Sequence, residues 1–361
     1  MKINGRNKIK DYVMKVWIAT GGTGGHVFPA LSVASELVSR GARVTISCDG
    51  RVRNMVTRGC PSGARIVRIW ASGVGAKSRV QQMYALFKIA ISSLALICRF
   101  VFLRPDRVVA FGGYASVPAV FAAHVWKIPT FLHEQNAAIG RANSFMMRWV
   151  RTLMTSFPTV SGIPKNTTAR VVYTGLPVRS DFMVAAGAPL TGACRILVTG
   201  GSLGAQILDD VVPVSIVGMK NKKIFVTHQT RPENVARLQR YYAENKIRAN
   251  VLSFIHDMSD TIVNADLVIG RSGASTVVEL QTIGRGAILV PLNINPDQAA
   301  NAECFARTGG GFAIEQSKFT PRWLTSTLSE LFDNPSRLEK MSQKALVENN
   351  AVALIVDEIL K

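Results

Sequence analysis

The chain has 361 residues, 48% of them hydrophobic, and a formal net charge of +20. A chain of this length is expected to form two domains, each large enough to bury its own core. The five cysteines include no C-x-x-C pair and the five histidines form no H-E-x-x-H pattern, which argues for a reducing compartment and against a structural zinc site. The positive charge favours an anionic partner, but no nucleic-acid reading motif accompanies it, so nucleic acid is not expected.

Apolar runs typical of strands alternate with helical patterns along the whole chain. In the first half the predicted strands fall near 15–19, 43–47, 65–69, 107–111, 129–132 and 152–155, with helices such as 27–40 between them. In the second half the predicted strands fall near 195–199, 223–227, 250–254, 266–269 and 287–290. Such alternation predicts an α/β fold with parallel sheets.

One glycine-rich turn occurs twice, 179 residues apart. "VWIATGGTGGHVFPAL" and "RILVTGGSLGAQILDD" share an apolar strand, a Thr, two glycines, a hydroxyl residue, a further glycine and a helical pattern. The repeat predicts two Rossmann-like, doubly wound parallel-sheet domains that face a cleft. We place the first domain at 1–177 and the second at 178–342, with a last helix of about 343–361 that packs back on the first domain.

The first glycine turn is a candidate phosphate-binding loop. Glycines between a strand and a helix let a ligand approach backbone N–H groups at the positive end of the helix. The dinucleotide fingerprint fails because Val27 stands where its third glycine belongs, and no Lys follows for a Walker pattern. A purely structural tight turn therefore stays open. His26, at the helix start, is either a base near neutral pH or a residue that packs the loop.

Four further stretches place polar or glycine residues after predicted strands. "FGGYASVPAV" repeats the glycine turn, and "FLHEQNAAIGRAN" ends a buried run with four polar residues. In "ADLVIGRSGASTVVEL", Glu279 could accept the hydroxyls of a ribose or could be an ordinary helix-face residue. "VPLNINPDQAANA" offers Asp297, Gln298 and Asn301 for sugar hydroxyls.

Residues 77–107 combine an apolar core, Ile89 to Leu103, with flanking cations. This core is shorter than the roughly 20 apolar residues that span a bilayer, so no transmembrane helix is expected. Two interpretations remain: a core helix of the α/β domain, or a helix with one face docked on an anionic membrane.

Six motifs together resemble the MurG family of two-domain GT-B glycosyltransferases, in that family's order and spacing. They are "GGTGGHVFPAL", "FGGYASVPA", "HEQNAAIGRAN", "TGLPVR", "TGGSLGA" and "RSGASTVVEL". The resemblance implies an inverting transfer of N-acetylglucosamine from UDP-N-acetylglucosamine to the C4 hydroxyl of lipid I, which makes lipid II. It also implies a peripheral enzyme on the cytoplasmic side of the bacterial plasma membrane. Another GT-B lipid glycosyltransferase and a UDP-N-acetylglucosamine epimerase are the alternatives.

The resemblance also implies roles for individual residues. His26 is the first candidate base and Glu134 the second, and the acceptor side would include Gly112, Gly113 and Tyr114. The donor contacts would be Thr23, Gly24, Gly25, Asn136, Arg179, Ser202, Ile255, Ala274, Ser275, Thr276, Val277, Val278, Glu279 and Gln298.

The negative charge that develops on the departing UDP is expected to be stabilised by groups of the protein. No metal and no cofactor are expected, so helix N-termini with Arg179 or Arg271 would stabilise the departing UDP. The chain departs from the family at two places: His256 stands where an acid is usual, and Asp297 stands where His or Gln commonly precedes the glutamine.

Overall fold

The computed structural model describes residues 12–71, 78–201, 204–219, 223–292, 294 and 296–361. Its strands are β1 (Lys15–Ala19), β2 (Arg43–Cys48), β3 (Arg65–Arg68), β4 (Arg107–Ala110), β5 (Thr130–Glu134), β6 (Thr152–Thr155), β7 (Arg170–Tyr173), β8 (Arg195–Thr199), β9 (Phe225–Gln229), β10 (Arg248–Leu252), β11 (Leu267–Gly270), β12 (Ala287–Leu289) and β13 (Gly311–Ala313).

The helices separate these strands. They are α1 (Gly24–Ser39), α2 (Arg53–Gly59), α3 (Arg79–Phe102), α4 (Val117–Val125), α5 (Arg141–Met146), α6 (Ser180–Val184), α7 (Gln206–Val217), α8 (Pro232–Glu244), α9 (Met258–Val263), α10 (Ala274–Ile283), α11 (Pro296–Arg307), α12 (Pro321–Asp333), α13 (Pro335–Ala345) and α14 (Ala351–Leu360).

The strands form two parallel sheets. The first has the order β3-β2-β1-β4-β5-β6-β7 and the second β10-β9-β8-β11-β12-β13. In each sheet the chain runs outward in one direction, returns to the middle and then runs outward in the other, which is the doubly wound arrangement. The predicted α/β class with two doubly wound domains is confirmed. The strand order reverses between β1 and β4 in the first domain and between β8 and β11 in the second.

Two strands escaped the sequence prediction, β7 and β13. Each lies at the edge of its sheet and has only four or three residues. Segments this short show no period of their own, and they become strands because they pair with β6 and β12. Helix α1 begins at Gly24, three residues before the predicted start, so the last two glycines of the first turn belong to the helix.

The final helix crosses to the first domain. Ile355, Val356 and Ile359 of α14 lie in one apolar core with Val16 of β1 and Val33 of α1. Helix α13 instead packs with α12 in the second domain. The chain therefore passes twice between the two domains, near Gly175 and again before Ala351.

Helix α3 is longer than the predicted apolar core. It has 24 residues. By length and composition it is the one helix among the described residues that could cross a membrane. The argument that the segment is too short to span a bilayer is therefore wrong. One face packs inside the domain, where Ala85, Leu96 and Phe100 are buried. Other side chains of α3 are exposed and apolar, including Met83, Tyr84, Leu86, Phe87 and Leu94. A helix with one face in the core and another apolar face outside fits a surface position.

Candidate active site

The glycine turns lie at the two points where strand order reverses. The first turn follows β1 and the "FGGY" turn follows β4, on either side of the first reversal. The second turn follows β8, and the turn before α10 follows β11, on either side of the second reversal. Ligands of doubly wound sheets bind in the crevice at this position, outside the carboxyl ends of the strands.

Asp49 holds the first glycine turn in place. Its carboxylate, which is buried, accepts a hydrogen bond from the Gly22 N–H at 2.9 Å and pairs with the Arg51 guanidinium, also at 2.9 Å. The turn is crowded as well, because a Cβ on Gly21 would lie 2.4 Å from Ala115 Cβ. Sequence reasoning missed Asp49, although an acid directly after the apolar run of β2 was the available signal.

We expect Asp49→Ala to lower the free energy of unfolding by about 1–3 kcal/mol, because the substitution leaves the part-buried N–H groups of Gly22 and Arg51 without an acceptor. Urea denaturation measures this loss. Asp49→Asn is the matched control: it keeps one acceptor oxygen and should lose less. Equal stability of Asp49→Ala and the wild type would contradict the role given to this carboxylate.

The ring of His26 faces the same turn. Nδ1 lies 3.1 Å from the Gly21 carbonyl oxygen, and it can donate a hydrogen bond only if it carries the proton. That tautomer leaves a lone pair on Nε2, which has no hydrogen-bond partner within the described part of the chain. Burial lowers the pKa of His26, against the opposing effect of the Gly21 carbonyl. His26 is thus neutral near pH 7, with a basic nitrogen available.

The "FGGY" turn lies against His26. Gly112 and Gly113 both have positive φ, of 87° and 73°, which glycine adopts without strain. A Cβ on Gly113 would lie 3.7 Å from the His26 ring, so this backbone forms one wall beside the imidazole. Tyr114 follows, half-buried. The predicted acceptor-side residues therefore lie next to the candidate base.

The side chains of the "HEQN" motif are mostly engaged inside the protein. The buried carboxylate of Glu134 accepts hydrogen bonds from Asn136 N (2.9 Å), Gly140 N (2.9 Å) and Asn143 Nδ2 (2.7 Å). Burial raises its pKa, while these donors lower it. With its oxygens occupied, Glu134 organises the loop rather than receiving a substrate proton, so this geometry favours His26 over Glu134 as the base.

His133 and Gln135 are structural in the same way. His133 Nε2 lies 2.9 Å from the Gly175 carbonyl oxygen, at the crossing between the domains, and burial lowers the pKa of His133 to about 4. Gln135 Nε2 donates to the Phe111 carbonyl oxygen at 3.0 Å. The motif therefore connects β5 to the domain crossing near Gly175 and to the end of β4.

Asn301 joins the two domains. Its Oδ1 accepts the Ala137 N–H at 2.7 Å, while its Nδ2 donates to Asn136 Oδ1 and to the Ser272 carbonyl oxygen, both at 3.1 Å. The side chain is fully buried. The sequence predicted that the Asn301 amide would face sugar hydroxyls. In this structure Asn301 instead connects the loops of the two domains.

Helix α10 presents its N-terminus to the cleft side of the second sheet. The first backbone N–H groups, from Ala274 to Thr276, have no acceptor within the helix. They offer hydrogen bonds and partial positive charge to a phosphate. Val277 and Val278 are buried, so the backbone rather than their side chains is what this stretch can contribute. The predicted donor stretch Ala274–Glu279 is thus a helix start.

Glu279 lies near Arg179, which follows the domain crossing near Gly175. Burial raises the pKa of Glu279 to about 7, against the opposing charge of Arg179, and the charge of Asp181 adds to the rise. Arg179 also pairs with Asp181 at 3.3 Å. A half-exposed arginine beside a carboxyl group of raised pKa can order the hydroxyls of a bound ribose.

The remaining predicted contacts divide into available and engaged groups. Within the described residues no hydrogen bond uses the backbone of Ile255, which leaves it open to a base such as uracil. Gln298 Oε1 accepts the Leu292 N–H at 3.0 Å, while its Nε2 makes no hydrogen bond to the residues that the structure describes. Burial raises the pKa of Asp297. His256 is exposed and packs its ring against Phe254. Ser202 lies outside the described residues.

Arg271 is engaged inside the second domain. Its guanidinium donates to the carbonyl oxygens of Val290 (2.9 Å) and Pro291 (3.1 Å) and to Gln316 Oε1 (2.9 Å). The guanidinium therefore stabilises the loop after β12. Among the described residues no cluster of three His, Cys, Asp or Glu side chains is placed to hold a metal ion.

Comparison with known proteins decides the family. The descriptions "Glycosyltransferase family 28 N-terminal domain" and "Glycosyltransferase family 28 C-terminal domain" match residues 16–155 and 195–359. The UDP-N-acetylglucosamine--N-acetylmuramyl-(pentapeptide) pyrophosphoryl-undecaprenol N-acetylglucosamine transferase of Methylobacterium sp. (strain 4-46) is 40% identical over 334 residues, 90% of this chain and 89% of that protein. The crystal structure of MurG from Acinetobacter baumannii matches with a TM-score of 0.78 and 32% identity, over 96% of this chain and 99% of that one. The chain belongs to the MurG family of glycosyltransferases.

Membership of this family confirms the resemblance seen in the six motifs and the GT-B fold. A putative UDP-N-acetylglucosamine 2-epimerase from Listeria monocytogenes also matches, with a TM-score of 0.63 over 96% of this chain and 95% of that one, but at 12% identity. A likeness at that identity shows a shared fold alone. The family assignment therefore favours a transferase over the epimerase alternative.

Proposed function

We propose that this protein transfers N-acetylglucosamine from UDP-N-acetylglucosamine to the C4 hydroxyl of undecaprenyl-pyrophosphoryl-N-acetylmuramoyl-pentapeptide, lipid I, with inversion, and so makes lipid II. The observation that carries the proposal is the neutral His26 between two glycine turns of the first domain. The relatives in this family, named for that transfer, support the substrate pair.

The reaction needs a base and a stabilised leaving group. His26 Nε2 takes the proton of the C4 hydroxyl of the acceptor. The hydroxyl oxygen forms a bond to the anomeric carbon of N-acetylglucosamine while the bond from that carbon to the UDP oxygen breaks. The N-terminus of α10 and the Arg179 guanidinium supply the positive potential that stabilises the departing diphosphate. The Glu279 carboxylate accepts hydrogen bonds from the hydroxyls of the ribose.

A coupled assay of UDP release tests the proposal. UDP should be released only when lipid I and UDP-N-acetylglucosamine are both present, and turnover should persist in excess chelator. Release of UDP without any acceptor would favour an epimerase instead. Release with diacylglycerol but not with lipid I would favour another lipid glycosyltransferase.

We also propose that the enzyme is peripheral and docks on the cytoplasmic face of the bacterial plasma membrane through α3. The exposed apolar side chains of this helix include Met83, Phe87 and Leu94. Arg79 and Lys88 stand beside them, and Lys88 lies over the ring of Tyr84 at 4.3 Å. Apolar side chains with cations beside them suit an anionic bilayer surface. Lys77, another cation of the 77–107 stretch, lies outside the described residues.

Removing two of these cations should weaken vesicle binding. We expect Arg79→Gln with Lys88→Gln to reduce binding to phosphatidylglycerol vesicles about thirtyfold, since each cation near such a surface contributes about 1 kcal/mol. Co-sedimentation measures the change. Arg240→Gln with Arg322→Gln, which removes the same charge from exposed sites of the second domain, is the control. Equal binding of both double variants would exclude α3 as the docking face.

A further inference from the structure

A cleft of about 970 Å³ runs from the domain crossing along the outer face of α1, and of its lining residues the mechanism above uses Arg179 alone. On the first-domain side, Phe28, Leu31 and Met55 give the cleft an apolar surface, and polar residues such as Ser32 and Asn54 lie among them. Val178 and Met183 close it from the second-domain side. Gly59, at the end of α2, permits this wall, because a Cβ there would lie 2.6 Å from Leu31 Cδ1.

Three arginines line the cleft: Arg51, Arg58 and Arg179. None of the residues that the structure describes along its walls is an acid. Asp49 and Asp181 offset Arg51 and Arg179 from outside the lining, whereas Arg58 forms no ion pair with any acid in the described part of the chain. An apolar wall with an excess of guanidinium groups suits a ligand that carries both aliphatic groups and carboxylates.

The cleft begins beside the candidate base. A Cβ on Gly22 would lie 3.7 Å from His26 Nδ1 and 3.9 Å from Arg51 Nη2, so the imidazole and an arginine that lines the cleft both approach this one glycine. A substituent on the carbon next to the reacting hydroxyl of the acceptor would therefore extend out of the active site near this end of the cleft.

The chemistry of the acceptor places its peptide there. In an N-acetylmuramyl group the peptide hangs from the lactyl ether on O3, adjacent to the C4 hydroxyl, while the lipid pyrophosphate is on C1. From Phe28 to Ser35 the cleft follows α1 for about 10 Å, at 1.5 Å per residue. An extended pentapeptide spans at most about 17 Å, so the cleft can hold more than half of it.

We infer that this cleft is the subsite for the peptide of the acceptor, with Arg58 binding a peptide carboxylate. The inference rests on the proposed function, since it needs a muramoyl peptide as the acceptor. Phe28, Leu31 and Met55 contact the aliphatic side chains of the peptide, and Arg58 recognises its charge. The subsite thus distinguishes an acceptor that carries an acidic peptide from other lipid-linked sugars.

Arg58→Glu tests the inference with two acceptors, a lipid I analogue with the full pentapeptide and one that ends at the lactyl amide. We expect the KM for the pentapeptide acceptor to rise about tenfold or more, because a charge-assisted bond is lost. The KM values for the peptide-free acceptor and for UDP-N-acetylglucosamine should stay unchanged. Arg53→Glu is the matched control, since Arg53 is exposed on the same helix but does not line the cleft.

Each other outcome has a definite meaning. An equal effect of Arg58→Glu on both acceptors, or no effect on either, would overturn the peptide subsite. A rise in the KM for UDP-N-acetylglucosamine alone would assign the cleft to the donor nucleoside. Wild-type enzyme that converts neither acceptor would refute the proposed function itself, which keeps the two failures separate. If Arg58→Glu does not fold, Arg58→Gln with a pentapeptide whose carboxylates are amidated makes the same comparison.

Discussion

Replacing His26 with alanine is expected to reduce kcat by about 10²–10⁴, the usual contribution of a positioned general base. The free Nε2 of the neutral ring is the group that the reaction loses. The KM for either substrate should change much less than kcat. Steady-state rates with lipid I and UDP-N-acetylglucosamine measure this. Because burial lowers the pKa of His26, the acidic limb of kcat/KM should lie below the ordinary histidine value of 6.5.

His26→Asn separates the base from the loop. An asparagine amide can still donate to the Gly21 carbonyl oxygen, which is the hydrogen bond that His26 Nδ1 makes, but it has no basic nitrogen. We expect His26→Asn to keep the melting temperature of the wild type and to lose turnover as fully as His26→Ala. Normal turnover in His26→Asn, or a loss confined to acceptor affinity, would make His26 a packing residue only.

Glu279→Ala is expected to weaken use of the donor about tenfold to a hundredfold, since a charge-assisted hydrogen bond of about 1.5–3 kcal/mol disappears. The effect should appear in the KM for UDP-N-acetylglucosamine. The pKa of Glu279, raised to about 7, adds a pH dependence. Below pH 7 the carboxyl group is increasingly protonated and accepts ribose hydroxyls less well, so the wild-type KM for the donor should rise as the pH falls. Glu279→Gln should remove this dependence.

The raised pKa of Glu279 also predicts how the free energy of unfolding depends on pH and how Glu279→Gln changes it. The folded, ligand-free protein holds this proton more tightly than the unfolded chain, so the contribution to stability is present at low pH and is lost as pH rises through about 7. Glu279→Gln should therefore melt higher than the wild type at pH 8 without donor, while binding the donor less tightly. An unchanged donor KM in Glu279→Ala, with unchanged melting, would show that Glu279 is an ordinary helix-face residue.

Much of the architecture could be predicted from local patterns. Each strand of four or more residues inside a sheet shows an apolar run, and each glycine turn follows such a run, so the two doubly wound domains and the positions of their turns were accessible from the sequence. The edge strands β7 and β13 were not, because segments of four and three residues with exposed or half-buried side chains show no period of their own and depend on a neighbouring strand. The length of α3 was underestimated because its first ten residues mix polar and apolar types.

The sequence by itself determined the fold class, the family and the set of residues near the cleft, because these follow from short-range patterns and their order. Tertiary structure alone decided what each polar residue does. Glu134 and Arg271 are satisfied by groups that the fold brings to them, and Asn301 bonds residues more than 160 positions away. Asp49 enters the site because β2 lies beside β1. A polar side chain is available to a ligand only when no internal partner reaches it, and long-range contacts set that condition.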